Sequence, residues 1–239
     1  MIKEALEYLR EQFKQTEFYE KNGELYVNVD LMKVTEPHRH EIVSHSLTSI
    51  VDFTSDNFDK DERLLITILD EGKVVVETEL NSNKNRETVL VARADIPEKR
   101  LNAYLDMERF NIQLQSQFVP NEDSSKILSI IGNLRSENVK NVGDDGISQA
   151  VTVKKGVTIA NEEVVPNPVH LKPFRTFTEI AQPESPFVFR LRNAGDEVEA
   201  ALYEADGGAW RNQARLSIKE YLKDYLAEEV GTGKVLIIG

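Results

Sequence analysis

Asp144 and Asp145 stand side by side between Gly143 and Gly146. Adjacent carboxylates on a flexible turn offer oxygen ligands to a divalent cation, and these two are the metal candidates of the chain. Asp-Gly is also ordinary turn chemistry, and no calcium-loop spacing follows it. Lys154 and Lys155 fall at the next hairpin tip, where they suit phosphate, the acids of a partner, or simply an exposed turn. His38, His40 and His45 form an HxHx4H cluster. Two imidazoles one residue apart on a strand point the same way and can ligate zinc, but neither a cysteine nor an HExxH helix accompanies them.

A second constellation lies toward the C-terminal end. Alternation puts Phe187, Phe189 and Leu191 on one strand face and Val188, Arg190 and Arg192 on the other. Arg175, Phe177 and Glu179 make a similar mixed row. Arginines among aromatics suit a nucleotide or nucleic acid, through stacking and phosphate contact. They equally suit a solvated or subunit-facing sheet with charges paired across strands. Asp206, Gly207 and Gly208 precede Trp210 and Arg211, a helix start that offers either a backbone anion site or a plain cap. The ligand-binding candidates are therefore Arg175, Phe177, Arg190, Arg192, Asp206, Trp210 and Arg211.

No catalytic residue is nominated. GxSxG and GxGxxG are absent, and Gly231-Thr232-Gly233-Lys234 has Glu228 and Val235 where a phosphate loop needs glycine and a hydroxyl residue. These absences argue against a Rossmann dehydrogenase or a nucleotide-driven motor.

The elements that must position these residues read as follows. Ile2, Leu6, Leu9 and Phe13 give one stripe of a first helix, and Asn22-Gly23 turns a hairpin between residues 18–20 and 25–29. Ser46 caps a helix carrying Leu47, Ile50 and Val51, whose far end, residues 52–62, is strongly acidic. Residues 64–69 and 74–78 form a hairpin across Asp70-Glu71-Gly72-Lys73, and 88–94 adds a third strand. Helices follow around 105–118 and 127–134, then a hairpin of 150–153 with 157–159. Pro166, Pro168 and Pro173 place their segment along a sheet edge or across the surface, as an interaction arm. Strands at 174–180, 187–192 and 198–204 lead into a helix with Trp210, Ala214, Ile218, Tyr221, Leu222 and Tyr225 on one face, and a last strand spans 234–238.

Runs of strands joined by hairpins imply an α+β fold of antiparallel hairpins and meanders packed with a few helices, in a mixed or two-sheet arrangement. A division into lobes 1–120 and 121–239 is expected, with one continuous domain as the alternative. With 41 acidic against 29 basic residues the net charge is -12, so attraction to phosphate is not spread over the surface and must come from a local basic patch. The chain has no cysteine, which excludes disulfides and thiolate metal sites and fits a reducing cytoplasm. The first residues lack the pattern of a signal peptide, and no apolar run reaches the length of a membrane span.

The stretches NVGDDGISQAVTVKKGV, VPNPVHLKPFRTFTEIAQPESPFVFRL and EADGGAWRNQARLSIKEYL, with SLTSIVDF and FNIQLQSQF in the first half, resemble the YfdQ-like family of phage and prophage proteins. The resemblance implies a phage-encoded cytoplasmic protein of DNA metabolism or counter-defence, and brings no catalytic residues. The expected function is non-enzymatic: a homo-oligomer that binds a host or phage protein or sequesters a nucleotide or nucleic acid, without cofactor and away from membranes. The alternatives are a metal-assisted phosphoesterase using Asp144 and Asp145 with Arg175 or Arg190 on phosphate, and a capsid-like assembly protein.

Overall fold

A computed structural model describes residues 2–12, 18–21, 24–27, 39–81, 84–136, 139–144, 149–155, 158–195 and 197–239. His38, Asp145 and Gly146 lie outside them. The chain divides into two compact units, Met1–His38 and Arg39–Gly239. The first holds helix α1 (Ile2–Gln12) and an antiparallel hairpin of β1 (Phe18–Lys21) and β2 (Glu24–Val27), with Phe18 opposite Val27.

The second unit opens with β3 (Ile42–Ser44), α2 (Leu47–Asp56), β4 (Leu64–Asp70), β5 (Lys73–Thr78) and β6 (Thr88–Arg93). Ser46 caps α2 as its sequence implies, accepting from the Ser49 amide, and Asn57 ends it in the left-handed region at φ 47°. Then come β7 (Leu105–Asp106), α3 (Met107–Ser116), β8 (Phe118–Val119), α4 (Glu122–Ser136), β9 (Val139–Asp144), β10 (Gln149–Lys155) and β11 (Thr158–Val165). The chain closes with β12 (Val169–Pro173), β13 (Ser185–Ala194), β14 (Glu197–Glu204), α5 (Ala209–Tyr225), α6 (Ala227–Gly231) and β15 (Val235–Ile238). The fold is α+β.

Two five-stranded sheets carry the cores. The first runs β15-β4-β5-β6-β3; both of its outer strands pair in parallel with their neighbours, while the hairpins inside it are antiparallel. Its valine-rich strands pack Ile66, Val74, Val76 and Leu90 against Leu47 and Ile50 of α2 and Ile218, Leu222 and Leu226 from α5 and its end. The second runs β7-β14-β13-β12-β8. There Phe187, Phe189 and Leu191, on the strand face their alternation selects, meet α3 and α4 through Phe110, Ile127 and Ile131. A separate sheet has the order β11-β10-β9. Residues from both 1–120 and 121–239 enter each five-stranded sheet, because β15 and α5 return to the sheet built by 42–93.

Three expectations are corrected. Residues 174–180 are not a strand. The Gln182 side chain accepts from the amides of Arg175 at 2.8 Å and Thr176 at 3.2 Å and donates to the Phe177 carbonyl at 3.0 Å, meeting needs that a neighbouring strand would otherwise meet. The proline-rich segment does not run along a sheet edge throughout: its β12 lies inside the second sheet, pairing with β13 through Val169–Leu171 and with β8 through Lys172 and Pro173. Pro173 is buried, Pro166 half-buried and only Pro168 exposed. Asn167 pins this bend by exchanging both amide hydrogen bonds with the backbone of Phe189. Tyr225, placed on the buried stripe of α5, is instead 62% exposed.

Candidate functional site

The hairpin turn between β4 and β5, the end of β6 and the first two turns of α5 border an open groove of about 530 Å³. Its charged lining is Asp70, Glu71, Lys73, Arg93, Arg211 and Arg215, and its apolar wall is Ala94 and Ile96. The turn is set locally: Asp70 Oδ1 accepts from the Gly72 amide at 2.8 Å, and the Ala94 amide closes the end of the sheet onto the Gly72 carbonyl. Pairing of β5 with β6 puts Lys73 directly opposite Arg93. Like charges in that relation cost stability.

Arg211 and Arg215, four residues apart, lie on one side of α5. Both approach the single carboxylate of Glu71, Arg211 Nε at 3.5 Å and Arg215 Nη2 at 3.6 Å. Those are ion-pair separations, longer than a good hydrogen bond. Among the described residues neither guanidinium donates a hydrogen bond, and the Arg215 Nε is buried with no partner. Lys73 and Arg93 have no ion pair among the described residues. Four cations thus border a groove that holds two acids. Guanidinium forks with unspent donors can donate to carboxylate or phosphate oxygens.

Behind the groove lies a buried support. Arg175 is 3% exposed, and its Nη atoms bind Glu204 at 3.3 Å, the Pro183 carbonyl at 3.0 Å and Ser185 Oγ at 2.8 Å. Its guanidinium lies 4.0 Å from the ring centre of Trp210. Burial pushes the Arg175 pKa down to about 10, with Glu204 and then Asp206 opposing the shift. The group keeps its charge at neutral pH. Lys99 donates to the carbonyls of Pro97 and Phe174 and is held below the ordinary lysine range by burial first and Arg175 second. Asp206 binds the amides of Gly208 at 2.9 Å and Trp210 at 3.1 Å. The carboxylate therefore occupies the anion seat that the start of α5 offers, with Gly207 and Gly208 at φ 63° and 84° making the approach.

Of the seven ligand candidates, Arg175, Asp206, Trp210 and Arg211 come together, and Arg211 alone of these lines the groove. Phe177 is not at a site: it is 1% exposed within the first core. Arg190 and Arg192 lie on the other strand face of β13, where Arg192 pairs with Glu199 at 2.7 Å and stacks 3.9 Å from Tyr104. That is a charge-paired sheet surface. Asp144 ends β9 opposite Gln149, and Asp145 lies outside the described residues. His45 Nδ1 sits 3.0 Å from Asp95, and His40 is exposed. Among the described residues no three His, Asp or Glu side chains are grouped to hold a metal ion.

Glu71, Lys73, Arg93 and Arg215 are the site residues that sequence reasoning missed. The first two were legible only as a hairpin turn, and nothing in the spacing of 71–93 and 211–215 says that they meet. The acidic run after α2 also has a structural role that its composition hides. Arg39 binds Asp59 at 2.9 Å, Asp61 through both Nη atoms at 3.1 Å, and Glu87 at 3.2 Å, and Asp61 first, then Glu87, hold its pKa above the usual arginine range against the opposing effect of burial.

Fold and groove together define an α+β protein with a locally basic groove on an acidic chain. No protein-family model, curated protein or solved structure matches the sequence. No helix among the described residues is long and apolar enough to cross a membrane.

Proposed function

We propose that the chain is a non-enzymatic binding protein that takes a nucleotide or nucleic acid by its phosphate groups in the groove between the β4–β5 turn and α5. The observation that carries this reading is the pair Arg211 and Arg215, which share Glu71 at 3.5 and 3.6 Å while their guanidiniums donate no hydrogen bond among the described residues. The opposed Lys73 and Arg93 support it, since an anion between or beside them lowers their repulsion. The resemblance to the YfdQ-like family supplies the setting: a phage-encoded protein of the host cytoplasm, acting in DNA metabolism or counter-defence as an oligomer.

The test is calorimetric titration with inorganic pyrophosphate at low ionic strength. Binding to the wild-type chain is expected, and Arg211→Ala with Arg215→Ala should weaken it at least about tenfold, because each charge-assisted hydrogen bond contributes roughly 1.5–3 kcal/mol. Absent binding, or equal binding by the double variant, would refute the proposal.

A further inference from the structure

Resting on the phosphate-binding reading of the groove, we infer that its ligand is a nucleic-acid strand gripped by its backbone, with the bases unread. Base recognition on an unpaired strand draws most of its strength from exposed aromatic rings on which bases stack. Among the described residues the groove lining holds no aromatic ring: its apolar wall is Ala94 and Ile96, and the guanidiniums of Arg211 and Arg215 approach Glu71. The neighbouring indole is already used. Trp210 is 7% exposed, with Arg175 stacked at 4.0 Å and Arg211 at 5.4 Å from its ring centre. A free nucleotide would therefore leave its base without an aromatic ring to stack on and gain little over its phosphates alone.

The placement of the cations favours a repeating anion over a point charge. Arg211 and Arg215 are one helical turn apart, about 6 Å along the axis, while Lys73 and Arg93 come from adjacent strands. The two pairs sit on different elements bordering one open groove. An acidic peptide fits less well. The groove borders β5 and β6, which are interior strands with neighbours on both sides. A peptide cannot add there as a further strand, so it forfeits the main-chain hydrogen bonds that give extended peptides their affinity. A phosphodiester backbone needs no such edge and presents its charges outward in series.

The experiment titrates the full chain with dT and dA homopolymers of equal length, with ATP, with pyrophosphate and with polyglutamate. Trp210 is the single tryptophan, so its fluorescence reports on the surroundings of this groove. The two homopolymers are expected to bind within about twofold of each other and at least about tenfold more tightly than ATP or pyrophosphate, because phosphate contacts carry no sequence information. With four phosphates engaged, log K should fall against log salt with a slope of about -2.8, and Arg211→Gln should reduce the slope by roughly 0.7. A preference between dT and dA above about tenfold would overturn the inference, since it requires base readout. ATP, pyrophosphate or polyglutamate binding as tightly as the homopolymers would also overturn it while leaving an anion site. Failure of every anion to bind would remove the underlying reading as well.

Discussion

Glu71 faces two guanidiniums across distances that satisfy neither fully, and Lys73 lies opposite Arg93, neither forming an ion pair among the described residues. Replacing Lys73 by Gln should therefore stabilise the ligand-free protein by about 0.2–1 kcal/mol, the range for a cross-strand charge pair, and weaken pyrophosphate binding. Chemical unfolding with a parallel titration reads both effects. Lys99 gives a pH signature. Its amine titrates below the ordinary 10.5, chiefly because burial strips its water, with Arg175 adding to the shift and Glu204 opposing it. Between the folded value and 10.5 the unfolded chain holds more protons, so stability rises with pH across that window. Compared with Lys99→Met, the wild type should gain stability as pH climbs toward 10.5, and denaturant midpoints measured from neutral pH upward will show whether the two diverge.

At the scale of elements, α5 serves both the first core and the groove. Ala214, Ile218 and Leu222 seal the first sheet, while Arg211 and Arg215 border the groove. Ile218→Ala should cost about 2–5 kcal/mol by emptying a fully buried position. Leu216→Ala, at a residue 51% exposed, should stay within about 0.5 kcal/mol. Thermal or urea unfolding of the two variants checks the orientation of the helix. That orientation was legible, because its apolar spacing is regular from Trp210 to Leu222. So was the face of β13, where strict alternation leaves no other choice. The segment 174–180 was not legible: Arg-Thr-Phe-Thr-Glu alternates like a strand, but Gln182 satisfies its backbone and buries Arg175 and Phe177 together. A side-chain amide closing a loop leaves no periodic trace.

Over the whole molecule, the chain returns at its end to the sheet it built early, as β15 aligns with β4 and α5 covers them. Pairing across such a separation is invisible to local pattern, and the groove depends on it, since it joins residues 70–73 and 93–96 to 211 and 215. The candidate site was therefore half legible. Arg211 and Trp210 stood out by type, and their partners became visible only once the fold joined them. Arg39 does similar long-range work, tying the start of the second unit to Asp59, Asp61 and Glu87. Arg39→Ala should cost roughly 1.5–3 kcal/mol, the range for losing a hydrogen bond between charged groups, with an unchanged denaturant slope if the loss is local.

The most direct test of the phosphate groove is ligand-linked unfolding of Glu71→Gln. Removing this carboxylate takes away the counter-charge of Arg211 and Arg215, so the variant alone should melt below the wild type. An anion then meets both guanidiniums without a competitor, so pyrophosphate should raise the melting temperature of the variant more than that of the wild type. Equal shifts in the two proteins, or no shift in either, would contradict an anion seat between the β4–β5 turn and α5.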